Sequence, residues 1–157
     1  MTVEKIITKT EQKELEITGA TLLSYEEYEK YKTKISRRAY WWWLRSPGTT
    51  SESHASYVNN YGNAYLSGNY VDDSCIEVVP ALRIILNSDF EIGDKIKFGV
   101  NTFTIISEYY ALCDNSIGYH CFREDDYKTS DANDYEKSDV KKFVDEWFER
   151  FERSEKE

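Results

Sequence analysis

The clearest pattern of hydrophobic and polar positions lies at the C-terminal end of the chain. Apolar residues recur there with the three- and four-residue spacing that places them on one face of an α-helix. Ser138 precedes them as a candidate N-cap, and Asp139 would add a negative charge to the first turn. We predict an amphipathic helix whose stripe packs on the core, with partner binding as the alternative. The stripe consists of Val140, Phe143, Val144, Trp147, Phe148 and Phe151.

A shorter helix is predicted near the N-terminus. Ser24 and Glu27 have the spacing of a capping box, in which each side chain accepts a hydrogen bond from the other residue's backbone N–H. This signal predicts a helix over about residues 25–31. Residues 1–14 are charged and weakly patterned, and we predict that they form an exposed arm.

Short apolar stretches separated by Gly, Asn and Pro predict antiparallel strands in the rest of the chain. Turns are expected near Gly62 and Gly68 and at residues 99–101. The strands are predicted at residues 15–23, 40–44, 55–58, 64–66, 70–71, 78–86, 95–98, 102–107, 109–113 and 119–122.

These elements predict one α+β domain over residues 15–157, with two helices packed on small antiparallel sheets. Its first half covers residues 15–86 and its second half residues 95–157, and residues 87–94 link them.

Three consecutive tryptophans precede a Ser-Pro-Gly turn at residues 46–48. Adjacent strand residues point to opposite faces, so the three rings cannot all enter one core, and at least one is expected beneath the following loop. Arg45 is expected to bond backbone carbonyls or a carboxylate. Pro47 and Gly48 would set the direction of the loop. The predicted structural residues are Trp42, Trp43, Arg45, Pro47, Gly48 and Pro80.

The 28 residues from Thr49 to Ile76 contain five Ser, four Tyr, four Asn and two Gly, and no Lys, Arg, Trp or Phe. Tyr provides rigid contact area at low entropic cost, and Ser, Gly and Asn provide adaptable hydrogen bonds, so this composition is typical of a recognition surface. Turns between short strands have a similar composition and are the alternative. The predicted ligand-binding residues are Tyr57, Asn59, Asn60, Tyr61, Asn63, Tyr65, Asn69, Tyr70, Asp72 and Asp73.

The formal net charge of −9 argues against nucleic acid as a partner, because phosphate binding requires clustered Lys and Arg. We expect no membrane insertion, since no apolar run approaches the ~20 residues of a spanning helix. The charged N-terminus does not resemble a signal peptide, which predicts cytoplasmic synthesis, with association with a virion left open.

Residues with metal-binding or catalytic spacing are lacking. His54 and His120 are isolated, and the three cysteines lack metal-ligand spacing; a Cys113–Cys121 disulfide is left open. The carboxylates between Glu124 and Asp134 lack the Gly and the closing Glu of an EF-hand loop. We therefore expect no metal, no cofactor and no enzymatic activity.

One string of residues resembles a known family. Trp42 to Gly48 reads W-W-L-R-S-P-G; glycine-spaced residues and Pro80-Ala81-Leu82 follow it, and Leu22 to Glu27 reads L-L-S-Y-E-E. This order resembles an uncharacterised domain family of gut bacteria and their phages. Its variable stretch is similar to those of proteins diversified by retroelements. In such proteins, the adenines of a template sequence are mutated when the template is copied into the gene. The resemblance implies a C-type-lectin-like fold that displays residues 49–76 to a protein or glycan ligand.

Two features depart from the family pattern. Residues 134–143 resemble a family helix element that usually precedes the W-W-L-R-S-P-G strand, which implies permuted halves closed within one chain or by exchange between copies. The family's V-R-P-A-L reads V-V-P-A-L here, so its Arg is absent. The alternative function is assembly of a phage or bacterial surface, with subunit contacts through the Trp cluster and the C-terminal helix. A homo-oligomer is left open.

Overall fold

The structure is a computed structural model that describes residues 2–4, 14–124 and 129–155. It is mixed α and β, with antiparallel sheets and two α-helices in the described residues, which confirms the α+β class. The strands are β1 Thr2–Glu4, β2 Glu14–Thr21, β3 Trp42–Pro47, β4 His54–Val58, β5 Ala64–Tyr70, β6 Ala81–Ile85, β7 Lys95–Phe98, β8 Asn101–Ile105 and β9 Tyr110–Cys113, and the helices are α1 Tyr25–Tyr31 and α2 Asp139–Glu155.

The larger sheet has six strands in the order β1-β2-β6-β9-β8-β7, and every pairing in it is antiparallel. The predicted hairpin of β7 and β8 is confirmed, with Phe98 opposite Asn101. The central strand β6 pairs with β2 from the first half of the chain and with β9 from the second. Both halves therefore contribute strands to one sheet.

The smaller sheet has the order β3-β4-β5 and separates two hydrophobic cores. Trp42 is 1% exposed in the core shared with the six-stranded sheet, and Trp43 is fully buried in the second core, where it contacts Phe122. Consecutive strand residues alternate between faces, so adjacent tryptophans enter different cores. The expectation that the tryptophans divide between the two faces of the strand is confirmed.

Helix α1 begins with the predicted capping box. The Glu27 N–H donates to Ser24 Oγ at 3.0 Å, and the Ser24 N–H donates to Glu27 Oε1 at 2.8 Å. Its inward side chain, Tyr28, is buried and meets the Trp42 ring edge-on at 5.5 Å. The short helix is therefore fixed by its cap and by one aromatic contact.

Helix α2 begins as predicted, with Ser138 Oγ accepting the Lys141 N–H at 3.0 Å. Its stripe packs on both cores, because Val140 and Val144 belong to the second core and Trp147 to the first. The prediction of a core-packing stripe is confirmed. In the part of the chain that the structure describes, neither helix has the length and apolarity needed to span a membrane.

Three expectations from the sequence are wrong. Residues 2–4 are not an exposed arm, because they pair with β2 and Val3 is only 3% exposed; residues 5–13 lie outside the described residues. Gly68 does not end a strand, since β5 continues through it. Residues 119–122 form only an isolated bridge, between Tyr119 and Glu77.

The backbone explains why Gly68 is not a turn. Its φ of +92° lies in the left-handed region, and the β4–β5 register shifts between Ala55 and Tyr57, so the strand bulges there. A Cβ on Gly68 would lie 2.9 Å from the Ala55 carbonyl oxygen and 3.0 Å from Gly48 Cα. Gly68 is therefore required by close backbone packing within a strand.

Candidate recognition surface

The candidate recognition surface lies on the three-stranded sheet. The register pairs Trp43 with Tyr57 and Tyr57 with Tyr65, so these side chains share one face. Trp41 immediately precedes β3, and strand alternation places it on the same side as Trp43. This face carries a row of aromatic rings that begins in the core and ends at the surface.

Three of these rings stack on one another. The ring centroids of Trp41 and Tyr57 lie 4.7 Å apart with an interplanar angle of 22°, and those of Tyr57 and Tyr65 lie 5.3 Å apart with an angle of 20°. Trp41 is 38% exposed and Tyr65 is 39% exposed, whereas Tyr57 between them is 9% exposed. We call these three residues the aromatic platform. Its outer rings reach solvent, and its central ring is fixed on both sides.

Asn59 organises the turn after β4. Its Oδ1 accepts the backbone N–H groups of Tyr61 at 3.0 Å and Asn63 at 2.9 Å, and its Nδ2 donates to the Tyr65 hydroxyl at 3.3 Å. Asn59 is only 7% exposed. The sequence prediction that Tyr57 and Asn59 present their side chains to a ligand is therefore wrong. Both are buried, and both support neighbouring residues that are exposed.

The turn itself exposes the polar and aromatic groups that the sequence predicts. Tyr61 is 68% exposed, and Asn60 and Asn63 are also exposed. Trp41 Nε1 donates to Asn60 Oδ1 at 3.3 Å, which connects the turn to the platform. We call the exposed set the tip surface; its members are Trp41, Asn60, Tyr61, Asn63 and Tyr65.

The other predicted binding residues lie at the far end of the hairpin. Tyr70 is 58% exposed and its ring lies 4.4 Å from that of His54. Asp73 is engaged in the chain, accepting from Asn69 Nδ2 and from the Cys75 N–H, each at 2.9 Å. Asp72 beside it is exposed. A seven-residue strand separates this end from the turn by roughly 20 Å, so the ten residues do not form one continuous surface.

The comparison with family models decides where the chain belongs. Residues 6–87, just over half of the chain, match the family described as "Domain of unknown function (DUF6273)". The chain is a member of the DUF6273 family. No curated protein and no solved structure matches it. The matched segment contains β3, β4 and β5, and therefore the whole tip surface; α2 lies outside it.

Within the DUF6273 segment, Arg45 has the structural role that the sequence predicts. Its Nη1 donates to the Leu22 carbonyl and to Glu27 Oε1, both at 2.6 Å. Burial raises the pKa of Glu27, but hydrogen bonds from Arg45, the Ser24 N–H and Tyr110 outweigh it, so the pKa is lowered overall. This ion pair joins α1 to β3.

The loop of residues 48–54 in the DUF6273 segment is closed by backbone contacts. The Gly48 N–H donates to the His54 carbonyl at 2.8 Å, and a Cβ on Gly48 would lie 2.7 Å from the same oxygen. Asn133 Nδ2, from the second half of the chain, donates to that oxygen at 3.0 Å. The two prolines predicted to be structural lie at strand ends. Pro47 is the last residue of β3, and Pro80 is buried immediately before β6.

One exposed aromatic pair near the platform was not predicted. Tyr40 is 54% exposed and Tyr119 is 49% exposed, and their rings meet edge-on at 5.8 Å. The two tyrosines are adjacent because Glu77 forms one isolated β-bridge with Trp42, near Tyr40, and another with Tyr119. Tyr119 is 79 positions from Tyr40 in the numbering, so no local pattern could have joined them.

The described residues contain no cluster of three or more His, Cys, Asp or Glu side chains suited to a metal ion. The carboxylates considered for Ca²⁺ fall partly on residues 125–128, outside the described residues. All three cysteines are free, with Cys113 and Cys121 buried and Cys75 exposed. Burial raises the pKa of Cys113 to about 11 and that of Cys121 to about 12, so both are protonated at neutral pH.

Proposed function

We propose that this DUF6273 protein is a non-enzymatic binding protein that recognises a protein or glycan ligand through the tip surface. The observation that carries the proposal is the aromatic platform, which presents the rings of Trp41 and Tyr65 to solvent on either side of Tyr57. Exposed aromatic anchors commonly dominate the energy of an interface. Stacking and a strand backbone fix these rings before any ligand arrives, which reduces the entropic cost of binding.

The polar residues of the tip complement the rings. Asn60 and Asn63 are exposed amides on a turn whose backbone is held by Asn59, and Tyr61 lies between them. Each amide offers both donors and acceptors to a ligand. This mixture of rigid aromatic and adaptable polar groups is the combination found in antibody binding loops.

We further propose that the scaffold is C-type-lectin-like and that residues 49–76 are diversified in the manner of retroelement-variable proteins. The diversification proposal is supported by the separation of the side chains of residues 49–76 into buried and exposed sets. Its buried members, which include Ala55, Val58 and Val71, hold the hairpin, while exposed members could vary without loss of the core. The chain's net charge of −9 makes nucleic acid a poor partner, and we expect neither a cofactor nor membrane insertion.

The alternative function, assembly of a phage or bacterial surface, depends on subunit contacts through α2 and the Trp cluster. Much of that apolar surface is used within the chain, since Trp147 and Phe148 both contact the Phe98 ring at 5.5 Å and 5.3 Å. Trp41 is the tryptophan of the cluster that remains accessible. The alternative therefore has less free surface than the sequence suggests.

The experiment compares wild type with a Tyr61→Ala/Tyr65→Ala double variant on an array of defined glycans and on immobilised bacterial surface proteins. We expect the double variant to lose binding but to remain folded, because Tyr61 and Tyr65 are exposed. Its melting temperature should fall modestly, since Tyr65→Ala also removes the stack on Tyr57 and the hydrogen bond from Asn59. The matched control is Tyr109→Ala, a tyrosine that is 57% exposed, lies immediately before β9 and is outside the tip surface. Equal loss in the control, or retention of binding by the double variant, would refute the proposal.

A further inference from the structure

A second candidate site lies outside the three-stranded sheet. It is an open cleft of about 580 Å³ between α1 and the six-stranded sheet. Residues of α1, β2, β6 and β9 line it, and none of them belongs to residues 49–76. Its volume falls within the range of small-molecule sites, roughly 300–1,000 Å³.

The cleft contains two cationic side chains that lack an acidic partner. Lys30 on α1 contacts the Tyr31 ring, with 5.4 Å from Nζ to the centroid, and forms no ion pair with a described residue. Arg83 on β6 makes only a long contact, 3.5 Å from Nη1 to the Ala20 carbonyl oxygen, and likewise has no carboxylate among the described residues. Nearby cations differ, since Lys32 contacts Glu29 at 2.8 Å.

The acidic group that reaches the cleft from α1 is already neutralised. Glu27 pairs with Arg45 at 2.6 Å, accepts the Ser24 N–H, and is hydrogen-bonded by Tyr110. Its charge is therefore compensated from inside the domain. Glu26 is the exception, because it is exposed and also lines the cleft, and it should oppose an anion.

Flat aromatic rings line the same space. Tyr31, Tyr109 and Tyr110 contribute rings from α1 and from the start of β9. The positive charges lie close to these rings. The pKa of Tyr109 is raised overall by its hydrogen bond to Glu108, with Lys30 opposing the rise, and the pKa of Tyr110 is raised overall by burial, with Arg83 opposing the rise.

We propose that this cleft binds a small aromatic carboxylate, with the ring against the tyrosines and the carboxylate between Lys30 and Arg83. The planar apolar ring of such a ligand would pack against the tyrosine rings. A single negative charge matches two cations that the chain leaves without acidic partners, and Arg presents a fork suited to a carboxylate. The site is separate from the tip surface, so it stands whether or not the proposed function is correct.

The test uses three probes that share one ring: 4-hydroxyphenylacetate, its amide 4-hydroxyphenylacetamide, and the amine tyramine. Calorimetry and ligand-observed NMR measure the Kd of each. We expect the acid to bind at least about tenfold more tightly than the amide, a difference of about 1.4 kcal/mol, and the amine to bind no better than the amide. Equal Kd values for acid and amide, tighter binding of tyramine, or no acid binding at about 10 mM would each overturn the proposal.

Variants of exposed residues locate the site. Arg83→Gln and Lys30→Gln should each raise the Kd of the acid by about fivefold or more, whereas Glu26→Gln should lower it, because the repelling charge is removed. Lys97→Gln, an exposed cation on β7 outside the cleft, is the matched control and should leave Kd unchanged. Acid binding that is unaffected by both cation variants, or is weakened equally by Lys97→Gln, would contradict the site.

Discussion

The Tyr28 hydroxyl donates a hydrogen bond of 2.7 Å to the backbone carbonyl of Gly62. Tyr28 is the buried residue of α1, and Gly62 belongs to the turn between β4 and β5. The short helix therefore holds the hairpin turn that carries the tip surface. The turn depends on this bond from outside and on Asn59 from within.

Tyr28→Phe removes that hydroxyl and leaves the ring. We expect the free energy of unfolding to fall by about 1 kcal/mol, the usual net value of one hydrogen bond. Amide hydrogen exchange at residues 60–63 should accelerate more than exchange in β6. Tyr109→Phe, which alters an exposed hydroxyl, serves as control. Uniform acceleration across the domain would contradict a local role for Tyr28.

Asn59 and Asn60 provide a matched pair of identical, adjacent residues. Asn59→Ala removes one buried side chain that accepts two backbone N–H groups and donates to Tyr65, so we expect a loss of about 1–3 kcal/mol in chemical denaturation. Asn60→Ala alters an exposed side chain and should change stability by no more than about 0.5 kcal/mol. Equal effects of the two substitutions would mean that the turn is not organised by Asn59.

The ion pair of Glu27 and Arg45 predicts a pH dependence of stability. The pKa of Glu27 in the folded protein lies below its ordinary value of 4.5. Its charged form therefore stabilises the fold above about pH 4.5, and this contribution is lost as the pH falls through the lowered folded pKa.

Urea denaturation of wild type and Glu27→Gln over a pH series checks this dependence. The stability difference between the two proteins should be largest near neutral pH and should narrow in acid. A difference that stays constant from neutral pH to below the Glu27 pKa would contradict the assignment.

The three thiols should react at different rates. Cys75 is exposed, whereas burial protects Cys113 and Cys121 and raises their pKa values to about 11 and about 12. Since the thiolate is the nucleophile, iodoacetamide at mildly alkaline pH should modify Cys75 first, as mass spectrometry would detect. Denaturant should remove the difference. Modification of Cys113 or Cys121 as fast as Cys75 in the folded protein would contradict their burial.

Local signals predicted the local structure well. The capping box of α1, the N-cap and stripe of α2, and the β7–β8 hairpin are each encoded within a few neighbouring residues, and all three are confirmed. The pairing of β2 with β6 joins residues 16 and 85, and no short pattern specifies such a partner. Val3 is buried because its strand pairs with β2, where it lies opposite Leu15, and the charged residues around Val3 do not indicate that pairing.

The site was predicted in composition but not in geometry. The sequence indicated that the Tyr and Asn side chains of residues 49–76 face outward, yet Tyr57 and Asn59 are buried. Alternation could not reveal this, because both sides of β4 contact other parts of the chain. Trp41 belongs to the platform because its ring stacks on Tyr57 of the neighbouring strand. The sequence alone does not specify how β3 and β4 pair, so this contact could not be predicted.

The central claim is that the exposed side chains at the hairpin turn within residues 49–76 belong to a recognition surface on a constant scaffold. Deep amplicon sequencing of these codons in the natural population that carries the gene tests it most directly. We predict substitutions at exposed positions such as Asn60, Tyr61 and Tyr65, confined to adenine-derived changes, with buried Val58 and Asn59 constant. A uniform window, or variation that falls equally on buried and exposed positions, would contradict the claim.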